Sequence, residues 1–394
     1  MEPVPTADLR SRDFQNILLI KLSALGDIVH TLPVLNALHA RYPKARIDWL
    51  IAGEFAELVA DHPAIGNVLC FARGDWSAPW RAAPYVDAAR LIATLRAARY
   101  DLAIDLQGQL RSAVFAFGCG APVRIGFDRP RKDIWNTLTR KIPDEAKKHA
   151  WQGAREGSWL AYTHHIPLPT LDLHPVERYL GVAPMLGLAA AAPDFSFAIP
   201  PAAATRIEAL LDYYDIGKTK PLAVLAPGTN WDTKAWGKDG FAELARRLLQ
   251  NGLAVVLIGS PAERALCEEV AKLAPGAVDL AGETTLPELA ALVRRAALCV
   301  SNDSGPMHLA VALERPTIGL FGPTDPVWAG PYRRGDAVLR VELDCSPCYL
   351  RELRRCPFGH GCMENLVPGK VIALAETLIA RLPGRGRTAA PNAR

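Results

Sequence analysis

Three observations predict an α/β fold built from two Rossmann-like α/β/α halves. Short apolar runs alternate with helical patterns of roughly 10–15 residues, the signature of βαβ units and a parallel sheet. The alternation occurs twice, on either side of an Ala- and Pro-rich break. The chain of 394 residues also has the length of about two domains.

The first series opens with Ile17 to Ile20, then Gly26 and a helical pattern to about Tyr42. Arg46 to Ile51 reads as a strand, followed by a helical pattern from Glu54. Asn67 to Phe71, a helix from about Val86 to Ala98, and Asp101 to Leu106 continue it. From Val182 to Ala204 the pattern breaks into an interdomain connection with room for an edge strand. The second series has strands at Leu222 to Ala226, Ala254 to Gly259, Ala277 to Leu280, Leu298 to Ser301 and Thr317 to Phe321. Its helices fall at 240–251, 261–273, 286–296 and 305–313, with a final one from about Lys370 to Leu382. Domains are therefore expected at 1–195 and 196–383, with 384–394 a frayed tail.

Composition narrows the function. Hydrophobic residues are 50% and charged residues 22%, which suits a chain with sizeable cores and excludes a largely disordered one. A net charge of +4 is too mild to imply a nucleic-acid partner. No apolar run reaches the roughly 18 residues of a membrane span. The N-terminus lacks a signal-peptide stretch, so a reducing, cytoplasmic setting is expected. There the eight cysteines suggest metal binding or reactivity before disulfides.

G-x-G-x-x-G, Walker A, H-E-x-x-H and G-x-S-x-G motifs are all absent, against the commonest nicotinamide, NTPase, zinc-protease and hydrolase readings. In open α/β sheets ligands sit beyond the carboxyl ends of strands, and three segments there carry chemistry. Lys21 to Asp27 follows the first strand. Ser23 and Asp27 suit a helix start, but a carboxylate facing the interdomain cleft is also placed to accept a hydroxyl proton. Pro227 to Trp236 follows the first strand of the second half, where small residues let backbone approach a ligand, and Thr229 and Lys234 suit phosphate. Ser301 to His308 places Asp303, Ser304, Gly305 and His308 at a helix start, where free N–H groups and the helix dipole favour an anion. Together these describe a diphosphate site in the second half and a base in the first.

K-L-S-A-L-G-D-I-V-H-T-L-P at 21–33, D-L-Q-G at 105–108, the Lys234 loop and S-N-D-S-G-P-M-H at 301–308 resemble the ADP-heptose glycosyltransferases of lipopolysaccharide core synthesis, glycosyltransferase family 9. The resemblance spans about residues 16 to 382, and the G-D-I-V-H-T-L-P form looks most like the heptosyltransferase I branch. It implies a GT-B fold and inverting transfer of heptose from ADP-L-glycero-β-D-manno-heptose to Kdo–lipid A or a core heptose. No cofactor is implied for catalysis. Asp27 falls on the family's general base, Thr229 and Lys234 on its diphosphate loop, and Asp303, Ser304, Gly305 and His308 on its donor-binding helix start. Glu263 matches a glutamate near the donor's ribose. Asn230, where heptosyltransferase I proteins often have threonine, and the cysteine-rich segment 345–362 depart from that branch.

An anionic glycolipid acceptor makes Arg111, Arg124, Arg129, Arg131 and Lys132 candidates to bind it in the N-terminal, acceptor-binding half. Trp76 and Trp80, with Arg73 and Arg81, are candidates to meet the inner membrane surface, at its cytoplasmic face, or the lipid portion of the acceptor. Two other readings stand beside this one: a protein O-heptosyltransferase modifying Ser or Thr, and a non-catalytic sugar-nucleotide sensor. The basic cluster favours the glycolipid, and retention of Asp27 and Lys234 favours an enzyme. Cys345, Cys348, Cys356 and Cys362, spaced C-x₂-C-x₇-C-x₅-C, are the candidate structural site for Zn²⁺ or iron. Reduced thiols packed in a loop, or a disulfide made on exposure to air, are the competing readings.

Overall fold

Strand β1 (Asn16–Ile20) reads NILLI and is buried on both faces, the pattern of a central strand in a parallel sheet covered by helices. The computed structural model describes residues 9–71, 83–129, 131–132, 151–167, 173–216 and 220–381. β1 is joined by β2 (Arg46–Ala52), β3 (Asn67–Phe71), β4 (Leu102–Asp105) and β5 (Val123–Phe127). A two-residue pair, β6 (Arg131–Lys132) and β7 (Trp151–Gln152), stands apart, and β8 (His164–Ile166) completes the sheet. The order is β3-β2-β1-β4-β5-β8, all parallel.

The second sheet contains β9 (Leu222–Ala226), β10 (Ala254–Leu257), β11 (Val278–Asp279), β12 (Leu298–Asn302), β13 (Thr317–Phe321) and β14 (Val338–Arg340). Its order, β11-β10-β9-β12-β13-β14, repeats the topology of the first, again with every pair parallel. In each sheet the strand order reverses beside the first strand, between β1 and β4 and between β9 and β12. Such switch points open a crevice for ligands. The chain divides into two compact units, one ending at Ile199 and the other beginning at Pro200, against the expected boundary after 195.

The interdomain stretch holds no strand among its described residues. Instead Ala183–Leu186 is a helical turn, 188–200 is irregular, and Pro201–Tyr213 is a helix. Side chains occupy carbonyls that a neighbouring strand would otherwise take. Asn36 Nδ2 donates to the carbonyls of Asp194 (2.9 Å) and Ser196 (3.0 Å). No helix among the described residues is long and apolar enough to cross a membrane.

Candidate active site

Strand β1 is followed by Lys21, whose ammonium is buried and donates to the Leu106 carbonyl (3.1 Å) and the Tyr179 hydroxyl (2.7 Å). Tyr179 in turn donates to Asp27 Oδ1 at 2.6 Å. It reaches Asp27 because its helix, Pro175–Leu180, packs against the helix Leu25–Arg41 that Asp27 begins. Lys21 Nζ lies 3.6 Å from Asp27 Oδ2, with the lysine side chain 4% exposed and the aspartate 35%. Asp27 also fills the helix-start role, accepting the Ala24 N–H at 3.4 Å. Burial pushes its carboxyl upward, but Lys21, the Tyr179 hydrogen bond, Arg178 and the Ala24 N–H outweigh it and hold Asp27 below the usual carboxylate range. Burial lowers Lys21, against the pull of Asp27.

The D-L-Q-G segment shapes the loop opposite. Asp105 is fully buried and accepts from the N–H groups of Gln107 (2.8 Å) and Gly108 (3.2 Å) and from the Tyr162 hydroxyl (2.8 Å). Gly108 has φ +66°, and a Cβ there would lie 2.9 Å from the Phe127 ring, so glycine is required. Gln107 Oε1 accepts the N–H groups of Leu22 (3.1 Å) and Ser23 (3.3 Å), fixing the loop that leads to Asp27. The result is a cavity of about 160 Å³ lined by Lys21, Asp27, Gln107, Arg155, Arg178 and Tyr179, among others. Arg155, Arg178 and Tyr179 had no motif to mark them, and Lys21, which opens the K-L-S-A-L-G-D motif, was not singled out there.

In the second unit Asn302 plays the part of Gln107. Its Nδ2 donates to the Pro227 carbonyl (2.7 Å) and its Oδ1 accepts the Trp236 N–H (3.2 Å), clamping both ends of the Thr229–Lys234 loop. Lys234 Nζ sits 2.7 Å from Asp303 Oδ2, the lysine 14% exposed and the aspartate 5%. Thr324 donates to the same oxygen at 2.6 Å. Asp303, expected among the donor-binding residues, is thus turned toward Lys234 and Thr324. Ser304 precedes the helix Gly305–Ala312, and its hydroxyl meets that of Ser301 (2.9 Å) rather than capping the helix. His308 is buried in that helix, and Thr229 is half-buried. Glu263 accepts the Ser260 N–H (2.7 Å) and lies against Gly228, where a Cβ would be 2.1 Å from its carboxyl carbon. Gly228 therefore lets Glu263 approach the loop.

The basic candidates separate. Arg111 is half-buried, donates to Gln109 Oε1 (3.3 Å), and stands 6.0 Å over the Phe71 ring. Arg124 is tied to the carbonyls of Ala161 and Ala121, both at 2.7 Å, which brace β5. Arg129 is exposed. Arg131 and Lys132 lie on β6, but their side chains are outside the described residues, as are Arg73, Trp76, Trp80 and Arg81.

The cysteine segment corrects another expectation. Cys345, Cys348, Cys356 and Cys362 are free thiols, close enough for burial and the neighbouring thiols to push Cys362 up to about 12. Yet among the described residues no three His, Cys, Asp or Glu side chains are arranged to hold a metal ion. Cys356 Sγ accepts the His360 N–H (3.4 Å), and Cys362 is buried against Gly322. What the segment, with Leu366 just beyond it, does hold is the loop from Thr229 to Trp236. The Leu350 carbonyl accepts from Thr233 Oγ1, the Leu366 carbonyl accepts Trp236 Nε1–H (2.6 Å), and His360 Nε2–H donates to the Thr233 carbonyl (2.7 Å).

A family model, glycosyltransferase family 9 (heptosyltransferase), matches residues 88–152 and 142–357. Lipopolysaccharide heptosyltransferase 1 of Pseudomonas aeruginosa is 32% identical, across 84% of this chain and 85% of its own. The chain belongs to glycosyltransferase family 9. The heptosyltransferase 1 of Escherichia coli K12 is 30% identical over 82% of this chain and 93% of its own. Among solved structures, Escherichia coli heptosyltransferase WaaC with ADP-2-deoxy-2-fluoro heptose has TM-score 0.67 and 26% identity, covering 92% of this chain and 99% of that one. A family 9 enzyme from Veillonella parvula shares the fold, with TM-score 0.74 at 20% identity, over 94% and 98% of the two chains. The two Rossmann-like units are those of the GT-B fold, and the family makes this chain a heptosyltransferase.

Proposed function

We propose that this chain transfers heptose, with inversion, from ADP-L-glycero-β-D-manno-heptose to the lipopolysaccharide inner core, Kdo–lipid A or a core heptose, with Asp27 as general base. The observation that carries this reading is a pair of ion pairs of opposite presentation. In one unit the carboxylate is the more exposed partner and in the other the ammonium is. A carboxylate kept ionised and reachable suits removal of an acceptor proton, an effect worth about 10²–10⁴-fold. As the acceptor oxygen bonds the anomeric carbon, its proton passes to Asp27 and the bond to ADP breaks. Charge then grows on the terminal phosphate, where Lys234, Thr229 and the N–H groups at Gly305 stabilise it. Asp303 and Thr324 position Lys234 for that task. Glu263, beside Gly228, is assigned to the donor's ribose.

Arg155, Arg178 and Lys21, with Arg111 nearby, give the Asp27 cavity a cationic lining suited to the carboxylates and phosphates of an inner-core acceptor. Arg129, Arg131 and Lys132 extend the same proposal. The acceptor is lipid-anchored, which puts the chain at the cytoplasmic face of the inner membrane. The test is transfer from ADP-heptose in EDTA to a panel of truncated core glycolipids and polypeptides. Turnover on Kdo–lipid A or a heptosylated core, and none on polypeptide, is expected. Transfer to Ser or Thr of a polypeptide, or no transfer without added Mg²⁺, overturns this reading.

A further inference from the structure

The helix Leu110–Gly118 carries apolar residues on two faces. Ala113, Phe115 and Ala116 are buried, as a helix covering a sheet requires. Leu110, Val114 and Phe117, spaced i, i+4, i+7, form a second stripe that stays 53%, 46% and 62% exposed. The short 3₁₀ helix Ser158–Ala161 packs beside it and adds Leu160, 79% exposed. A helix that is apolar all round is normally buried all round, and this one is not.

Its surroundings indicate what covers it. The Arg124 guanidinium stands 5.5 Å over the Phe117 ring, placing a fixed positive charge at one end of the stripe. Arg111, within the helix, supplies another. Leu110 directly follows Gln109, which lines the Asp27 cavity. We propose that this stripe docks onto an anionic lipid bilayer, with Leu110, Val114, Phe117 and Leu160 entering the headgroup boundary and the arginines meeting lipid phosphates. Apolar side chains bordered by cations are the composition that interfacial helices use. The inference rests on the acceptor being lipid-anchored: docking there brings the cavity to the plane in which such an acceptor lies.

Flotation with vesicles tests the surface independently of catalysis. The wild-type chain should float with phosphatidylglycerol–phosphatidylethanolamine vesicles and several-fold less with phosphatidylcholine alone. The triple variant L110Q/V114Q/F117Q should lose about tenfold in bound fraction. Its positions are exposed, so its melting temperature should stay near wild type. Its transfer to an acceptor embedded in vesicles should fall by a similar factor, while kcat/KM on a deacylated, water-soluble acceptor stays within about twofold. Equal flotation of variant and wild type, or no flotation of the wild type, overturns the proposal. So does a wild-type dimer that the variant splits, which would make the stripe a contact between copies. If the wild type transfers heptose to neither acceptor, the functional reading fails, and flotation alone still decides the surface.

Discussion

The two units solve one problem twice and present opposite charges. In each, an amide side chain at or just beyond the end of the fourth strand fastens the loop after the first: Gln107 holds Leu22 and Ser23, and Asn302 holds Pro227 and Trp236. In each, a lysine and an aspartate then pair. Lys21 is buried behind Asp27, whereas Asp303 is buried behind Lys234. Burying one partner leaves the other as the more exposed charge and keeps its own charge compensated, since an unpaired buried charge costs several kcal/mol. A shared topology thus leaves a carboxylate facing out in one unit and an ammonium in the other, which the proposed function reads as a base and an anion site.

The largest effect should come from removing the outward carboxylate. Asp27→Ala is expected to lower kcat by about 10²–10⁴-fold, and a mutant retaining more than a tenth of wild-type kcat would remove Asp27 from the base role. Removing the outward ammonium comes next. Lys234→Ala should lower kcat by roughly 10²-fold and also raise donor KM, because a leaving-group contact strengthens in the transition state. Unchanged kinetics in stopped assays would make Lys234 an ordinary charge.

Much of this was legible in the sequence, and unevenly so. The second unit's site lies in two contiguous motifs, so Lys234 and Asp303 were both in view. In the first unit Lys21 and Asp27 share one motif, but only Asp27 was assigned a role. Tyr179 lies 152 positions from it, on a short helix with no motif, and no local pattern encodes such a contact. The central strands were legible because buried parallel strands are continuous apolar runs. β5, β8 and β14 were not. β8 is three residues long and reads HHI, and β14 lies at the edge of its sheet and is only half-buried. The cysteine spacing suggested a metal, but the fold uses that segment as a brace on the Thr233 turn.

That brace gives a smaller prediction. His360→Ala should reduce kcat by roughly fivefold, the loss of about one hydrogen bond, by loosening the turn that carries Lys234. His360→Gln, which can still donate, should recover part of it, with fold stability measured in parallel. Equal losses in both variants would leave His360 a packing residue only.

The smallest effect at neutral pH belongs to Tyr179→Phe. The hydroxyl stabilises the charged form of Asp27, so its removal raises the Asp27 pKa. The base must be deprotonated, so the acid limb of kcat/KM should move to higher pH by about one unit, with little change near pH 8. An unmoved acid limb would show that Asp27 does not set it.

The central claim is a division of labour, in which Asp27 serves the acceptor and the Lys234 site serves the donor. Calorimetric titration of ADP into Asp27→Asn tests it most directly. The amide keeps the side chain's size, and the account predicts a Kd within about twofold of wild type. A Kd weakened tenfold or more would contradict it, by making Asp27 part of the donor site.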